Sequence, residues 1–229
     1  MRTLIGYFLR QLFVYTLLCM GTFLMLRSIL PYTAFKDTIG FLQFKQDYVH
    51  LWWWNTAFYI HVFSAVLALM AGFTQFNRNL LASRRGLHRW IGRIYAYDIL
   101  FINVPAGLVL AVCANGGWPG KLAFLVLDSL WFIFTYIAVA AVRQGDLSRH
   151  RAFMIRSYAM TFSAIMLRTW KIVFSHTLQI DPVMLYQIDA WMAFAPNLLF
   201  AEWWLRRSAR GRTHFLTAQI SHYSGSINK

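Results

Sequence analysis

Acidic residues are scarce in this chain. Only 8 of 229 residues are Asp or Glu, and charged residues of all kinds make up 13%. That excludes an ordinary soluble domain, in which about a quarter of the residues are charged. It also leaves little for carboxylate-rich divalent-metal chemistry. Cysteine is nearly absent: Cys19 and Cys113 fall on different apolar runs at different depths, so neither a disulfide nor a thiolate metal site is expected. No His-Glu-x-x-His, no Gly-x-Ser-x-Gly and no phosphate-cradling glycine loop occurs. The common hydrolase and nucleotide-handling signatures are therefore missing.

What remains is apolar. Hydrophobic residues are 59% of the chain and aromatics 18%, the composition of an integral membrane protein. Runs long enough to cross a hydrocarbon core about 30 Å thick lie at 8–30, 51–75, 90–113, 121–143, 152–176 and 184–205. The reading is an all-α, polytopic membrane bundle of six transmembrane helices forming a single domain over 1–205, with a basic tail at 206–229. The first run follows Arg2 and Arg10 as a signal peptide would, but no small-x-small cleavage site follows it, so it reads as a retained anchor. Pro105 and Pro196 interrupt the third and sixth runs.

The net charge of +14 raises the question of nucleic acid, and its placement answers it. The basic residues cluster at alternate span ends: Arg2, Arg10, Arg78, Arg84, Arg85, Arg89, Arg93, Arg143, Arg149, Arg151, Arg156, Arg206, Arg207, Arg210, Arg212 and Lys229 on one side. Only Arg27, Lys36, Lys45 and Lys121 fall on the other. Membrane topology and anionic headgroups account for that pattern. Both termini are expected in the cytoplasm, the bilayer is the expected partner, and no nucleic-acid contact is expected. LWWWN at 51–55 supplies an aromatic belt at the outer interface.

Ionisable residues inside the spans carry more information, because they are costly there and normally face a bundle interior. His61, Asp128, Arg168, Lys171, His176 and Asp189 form a layer toward the outer side. His88, Arg89, Arg93, Asp98, His150, Arg151 and Arg156 form one toward the cytoplasm. HRWIGRIYA at 88–96 and HRAFMIRSYA at 150–159 repeat one order, His, Arg, spacer, Arg, then Tyr-Ala, and both enter the membrane from the same side. Neutral imidazoles flanked by guanidiniums suit a b-type haem, with two histidines on the iron and arginines on the propionates. His88 and His150 would sandwich an inner haem b, with Arg93 and Arg156 as propionate partners. His61 and His176, near Arg168, are the looser candidates for an outer one. Arg89 and Arg151 complete the cofactor-binding set, and the candidate iron ligands are His61, His88 and His150.

The stretches IHVFSAVLALMAGFTQF, LHRWIGRIYAY and HRAFMIRSYAMTFSAIMLR resemble an uncharacterised family of predicted bacterial membrane proteins, domain of unknown function 2306, from about residue 55 to 175. The resemblance implies a bacterial inner-membrane, multi-pass protein. It also implies that His61, Gln75, His88, Arg89, Gly92, His150, Arg151, Met154, Arg156 and Arg168 occupy the family's motif positions. Phe153 departs from the pattern, standing where a tryptophan is usual. A more general likeness, histidines on successive helices of a bundle, is to transmembrane b-type cytochromes.

The function expected first is an electron-transferring membrane oxidoreductase, drawing on a quinol or another donor, with ferric iron among the acceptors. Two other readings use the same residues: a transporter or binding protein for a small anion or lipid, clamped by the arginines, and a non-enzymatic subunit or assembly factor. A homo-oligomer or a place in a larger membrane complex is compatible with each. Plainer roles are expected elsewhere. Arg84, Arg85 and Arg149 read as anchors, and His50, His214 and His222 as solvated. Tyr95 and Tyr158 read as interface residues, and Asp98, Asp128 and Asp189 as counter-charges for the basic residues within the spans.

Overall fold

The computed structural model describes residues 2–75 and 77–227, and the side chains of that range except 2–5, 7, 10, 78 and 210–227. The calls on Arg2, Arg10, Arg78, Arg210, Arg212, His214, His222 and Lys229 therefore lie outside the described side chains. Among the described residues the chain is helical throughout, without strands. Helix α1 (Arg2–Ile29) is followed by two 3-10 turns, Leu30–Ala34 and Gly40–Phe44, and the short α2 (Gln46–Val49). Helix α3 (Trp52–Gln75) runs back, and α4 (Arg78–Ser83) turns the chain. Then come α5 (Arg85–Tyr97), a π-helical turn (Asp98–Asn103), α6 (Val104–Val112) and α7 (Gly117–Arg143). Helices α8 (Leu147–Thr161), α9 (Ser163–Thr177) and α10 (Pro182–Ile227) complete the bundle.

Among the described residues four helical stretches are long and apolar enough to span a bilayer: Gln11–Ala34, Trp52–Gln75, Arg85–Val112 and Gly117–Arg143. The other two expected spans correspond to α8 with α9 and to the first half of α10. Both are more polar, the former through Arg149, Arg151, Arg156, Arg168 and Lys171, the latter through Gln187, Asp189 and Asn197.

Two of these stretches depart from a straight α-helix, each for a visible reason. Pro105 stands at the start of α6. It has no N–H to give, and its ring presses on the carbonyl a turn earlier. The preceding turn accommodates both by widening to a π-helix rather than breaking. Between α8 and α9 the helix is interrupted at Phe162. There Thr161 Oγ1 donates to the Ser157 carbonyl at 3.3 Å and Ser163 Oγ to the Met160 carbonyl at 2.5 Å. Hydroxyls turned back on the helix's own carbonyls commonly bend it. Pro196 lies inside α10, which continues through it.

The bundle packs through small residues. Its largest core cluster joins Ala68 and Ala71 of α3, Tyr95 of α5, Ile99, Val104, Ala123 and Trp131, Met160 of α8, and Ala190 and Phe194 of α10. Gly72 of α3 leaves room only for the Tyr158 hydroxyl, so α3 and α8 approach closely there. Large apolar side chains such as Phe13, Phe23, Phe101, Trp118 and Leu199 point outward, as a lipid-facing surface requires.

The two ends differ. One end, called here the cap, is built from the 30–51 segment. Tyr32, Leu42 and Val49 pack on Trp54 and Phe58 of α3 and on Cys113. The opposite, basic end carries α4, the start of α5, the α7–α8 turn and the first turn of α8. Asp146 caps α8 there, accepting from the Arg149 N–H at 2.9 Å. That bond, with another from Ser148, holds its carboxyl below the ordinary carboxylate range.

Candidate functional site

The cap of α8 fixes where His150 sits. With Asp146 as N-cap, His150 falls in the first turn, and its backbone N–H bonds to the Asp146 carbonyl at 2.9 Å. Its ring then turns toward α7, with Nδ1 2.8 Å from the Ala138 carbonyl. That contact assigns the proton to Nδ1 and leaves Nε2 as a lone-pair donor, the arrangement that orients metal-ligating histidines. His88, on α5, lies within electrostatic reach of His150. Its Nδ1 is buried without a hydrogen-bond partner. Gln75 Nε2 donates to the His88 carbonyl at 3.2 Å, tying the start of α5 to the end of α3. Helices α5 and α8 are not a closely packed pair; α5 rests on α3, and α8 on α7 and α10. The two HR segments meet through Tyr95, whose Oη lies 2.8 Å from Ser157 Oγ, while the two imidazoles are within electrostatic reach of each other.

The arginines of those segments take different places. Arg89, Arg93 and Arg151 are exposed at the rim of the basic end. Arg156 is half-buried and paired in two places with Glu202 of α10, Nε to Oε1 at 2.5 Å and Nη2 to Oε2 at 3.0 Å. Its guanidinium stacks 4.7 Å from the Phe153 ring centre. The residue at 153 therefore supports an arginine, a role that the aromatic swap preserves.

Deeper in the bundle, His61 of α3 directs Nδ1 to the Asn103 carbonyl at 3.2 Å. Asn103, fully buried at the end of the π turn, donates through Nδ2 to Ser64 Oγ at 2.7 Å. Arg168 is within electrostatic reach of His61. Its Nη1 donates to the Ala164 carbonyl at 2.7 Å. His176 is exposed near the end of α9, eight residues or about 12 Å of helix beyond Arg168. His61 and His176 are therefore at different depths.

The acids do not serve as the expected counter-charges. Among the described residues neither Asp98 nor Asp128 forms an ion pair with an arginine or lysine. Both Asp98 oxygens are buried without any hydrogen-bond partner, and Asp189 has one such oxygen and feels Lys171 only at longer range. Desolvated carboxyls on facing helices found no arginine because Arg156 had already taken Glu202 and Arg168 its own helix carbonyl. Tyr95 and Tyr158 are likewise interior residues: Tyr95 is 1% exposed, and Tyr158 donates to the Leu69 carbonyl at 2.7 Å.

Sequence reasoning missed Glu202, Ser64, Asn103 and the pair Thr135–Ser157. Each was visible as a polar residue in an apolar run; what was lacking was the partner. It also left Lys45 in a solvated loop, whereas the structure buries it. Its Nζ donates to the Cys113 carbonyl and to Asn115 Oδ1, each at 2.5 Å, beside the rings of Phe41 and Tyr48. Among the described residues no three His, Cys, Asp or Glu side chains converge as a metal cluster.

The family described as Predicted membrane protein (DUF2306) matches residues 58–205 of the chain. That range contains every residue of the two HR segments, the midplane layer and Glu202. No curated protein and no solved structure matches.

Proposed function

The chain belongs to the DUF2306 family of predicted membrane proteins, and we propose that it is a b-cytochrome-like electron carrier holding haem b between His88 and His150. In this reading the chain crosses the bilayer six times with both termini in the cytoplasm. The basic end is then the cytoplasmic one, in keeping with the arginines gathered there. The site would lie on the cytoplasmic side of a bacterial inner membrane.

The observation that carries the reading is the state of the two imidazoles. One has its Nδ1 committed to a carbonyl and so presents Nε2; the other has a buried ring nitrogen with no partner. They come from different helices and lie within electrostatic range of each other. Buried polar atoms are nearly always satisfied, so an orphaned imidazole nitrogen calls for a ligand. Bound there, haem supplies one-electron transfer, received from a quinol or another donor. Arg89, Arg93 and Arg151 at the rim would meet the propionates, and Arg156, shared with Glu202, would hold α8 against α10 beneath them.

Absorbance of the purified protein tests this directly. A Soret band is expected from haem-replete cells, diminished or shifted in His88→Ala and in His150→Ala and retained in His50→Ala, a change at an exposed position near the cap. Arg93→Gln should keep the haem while moving its reduction potential. A colourless wild-type preparation would remove the reading. If both histidine variants matched wild type while Arg89, Arg93 and Arg151 substitutions abolished binding to anionic-lipid vesicles, the rim would be a headgroup clamp instead.

A further inference from the structure

Asp98 begins the π turn and is 4% exposed, yet neither carboxyl oxygen has a hydrogen-bond partner. Its neighbours are hydroxyls. Ser64 of α3 lies beside it, although its well-formed bond is the one received from Asn103. Tyr95 stands one turn earlier on the same helical face, within electrostatic reach. From Tyr95 the hydroxyls continue: its Oη is 2.8 Å from Ser157 Oγ and 2.9 Å from Thr161 Oγ1, and Ser157 Oγ is 2.7 Å from Thr135 Oγ1. All four are buried, none more than 4% exposed. In each of these contacts either oxygen can be the donor.

On the other side of Asp98 the polar groups continue. Ser64 Oγ accepts from Asn103 Nδ2 at 2.7 Å, and His61 Nδ1 lies 3.2 Å from the Asn103 carbonyl. Together with the hydroxyls, these groups draw on α3, the π turn, α5, α7 and α8.

A cluster of hydroxyls alone is explained by packing, since Thr135 and Thr161 are also satisfied by the Trp131 and Ser157 carbonyls. Packing does not explain an acid at its end. A carboxyl stripped of water in a membrane bundle, with only the Ser64 hydroxyl beside it and no paired cation, costs stability and returns little to the fold. Asn103 Oδ1 is orphaned in the same way, at the other end of the same π turn, and π turns concentrate at functional positions.

We propose that the hydroxyl run from Tyr95 to Thr135 is a proton path and that Asp98 is its loading site. A proton brought by hydronium on the Ser64 side bonds to one Asp98 oxygen, leaving water behind and converting carboxylate to carboxylic acid. On release that O–H bond breaks and the proton bonds to Tyr95 Oη, while Tyr95 passes its own proton to Ser157 and Ser157 passes its own to Thr135. Thr135 gives its proton to water entering from the basic end. Each oxygen loses one proton as it gains one, no electron moves, and no co-reactant is consumed. The proposal does not rest on the haem reading.

The test uses the full-length protein, with whatever cofactor it carries, in liposomes loaded with the pH-sensitive dye pyranine. Potassium and valinomycin clamp the potential, and an external pH step is imposed. Wild-type vesicles should equilibrate faster than protein-free ones. Asp98→Asn should fall to the protein-free rate, and Tyr95→Phe should fall by about tenfold or more. Lys36→Gln, at an exposed position, should keep the wild-type rate. Infrared difference spectra between two pH values should show a carboxyl band that Asp98→Asn lacks. If Asp98→Asn does not assemble, Tyr95→Phe, which keeps the ring, decides the matter. The proposal is overturned by wild-type vesicles no faster than empty ones, by either variant conducting at the wild-type rate, or by dissipation of a sodium gradient in place of the pH step.

Discussion

Lys45 and Asp98 are both ionisable, both almost fully buried, and neither has an ion-pair partner among the described residues. The cap surrounds Lys45 with what an ammonium wants: two oxygen acceptors at 2.5 Å and two ring faces. The midplane surrounds Asp98 with groups that do not satisfy it. The difference separates two uses of buried charge. A group whose bonds are all made holds structure together, and the stability of the fold depends on it. A group left unsatisfied is held in place by the rest of the fold and is free to exchange what it binds.

Three measurements sharpen that contrast or break it. The largest effect is expected at the cap. Lys45→Met keeps the length of the side chain but orphans the Cys113 carbonyl and Asn115 Oδ1, which should cost about 2 kcal/mol in denaturant unfolding of the detergent-solubilised protein. No loss would mean that the cap is held by its aromatic residues alone.

Next comes the pH dependence of that same residue. Burial lowers the Lys45 ammonium from 10.5 to about 8. Between those values the unfolded chain binds the proton more tightly than the folded one, so this residue makes stability rise with pH across the window from about 8 to 10.5. The stability of wild type relative to Lys45→Met should therefore increase over that range. A difference that is flat, or that shrinks as pH rises, would contradict the burial.

The smallest change is expected at Asp98. Asp98→Asn should leave unfolding stability unchanged or slightly raised, because exchanging an unpaired buried charge-bearing group for a neutral one of the same shape seldom harms a fold. A loss as large as that of Lys45→Met would place Asp98 with the structural charges and collapse the comparison.

These two residues also mark where the sequence could be read and where it could not. The first four spanning stretches were legible because their apolar runs are continuous, a property of each segment by itself. The HR repeat was legible as a repeated order of residues; the structure joins its two copies through Tyr95 and Ser157 and puts His150 within electrostatic range of His88. Pro105 announced an interruption, but whether the chain answers with a break or a wider turn depends on what packs around it. Lys45 reads from sequence only as one of the few basic residues of the outer loops and span ends; its acceptors come from the distant residues 113 and 115. Asp98 reads as a counter-charge for the basic residues within the spans. Arg89 and Arg93 instead remain exposed at the rim, and helix geometry carries the carboxyl inward.

The dependence of Lys45 on a carbonyl 68 residues downstream imposes an order on biosynthesis. When the lysine leaves the ribosome, its acceptors do not yet exist. At translation rates of about 5 to 20 residues per second, roughly 3 to 14 s pass before Cys113 is made. During that interval α1 and α3 are joined by a segment that cannot yet close over them, and its ammonium must stay hydrated. Closure waits for α6 to be delivered beside α3. The two bonds that seal the cap can therefore form only after residues 113 and 115 have been made and brought beside Lys45.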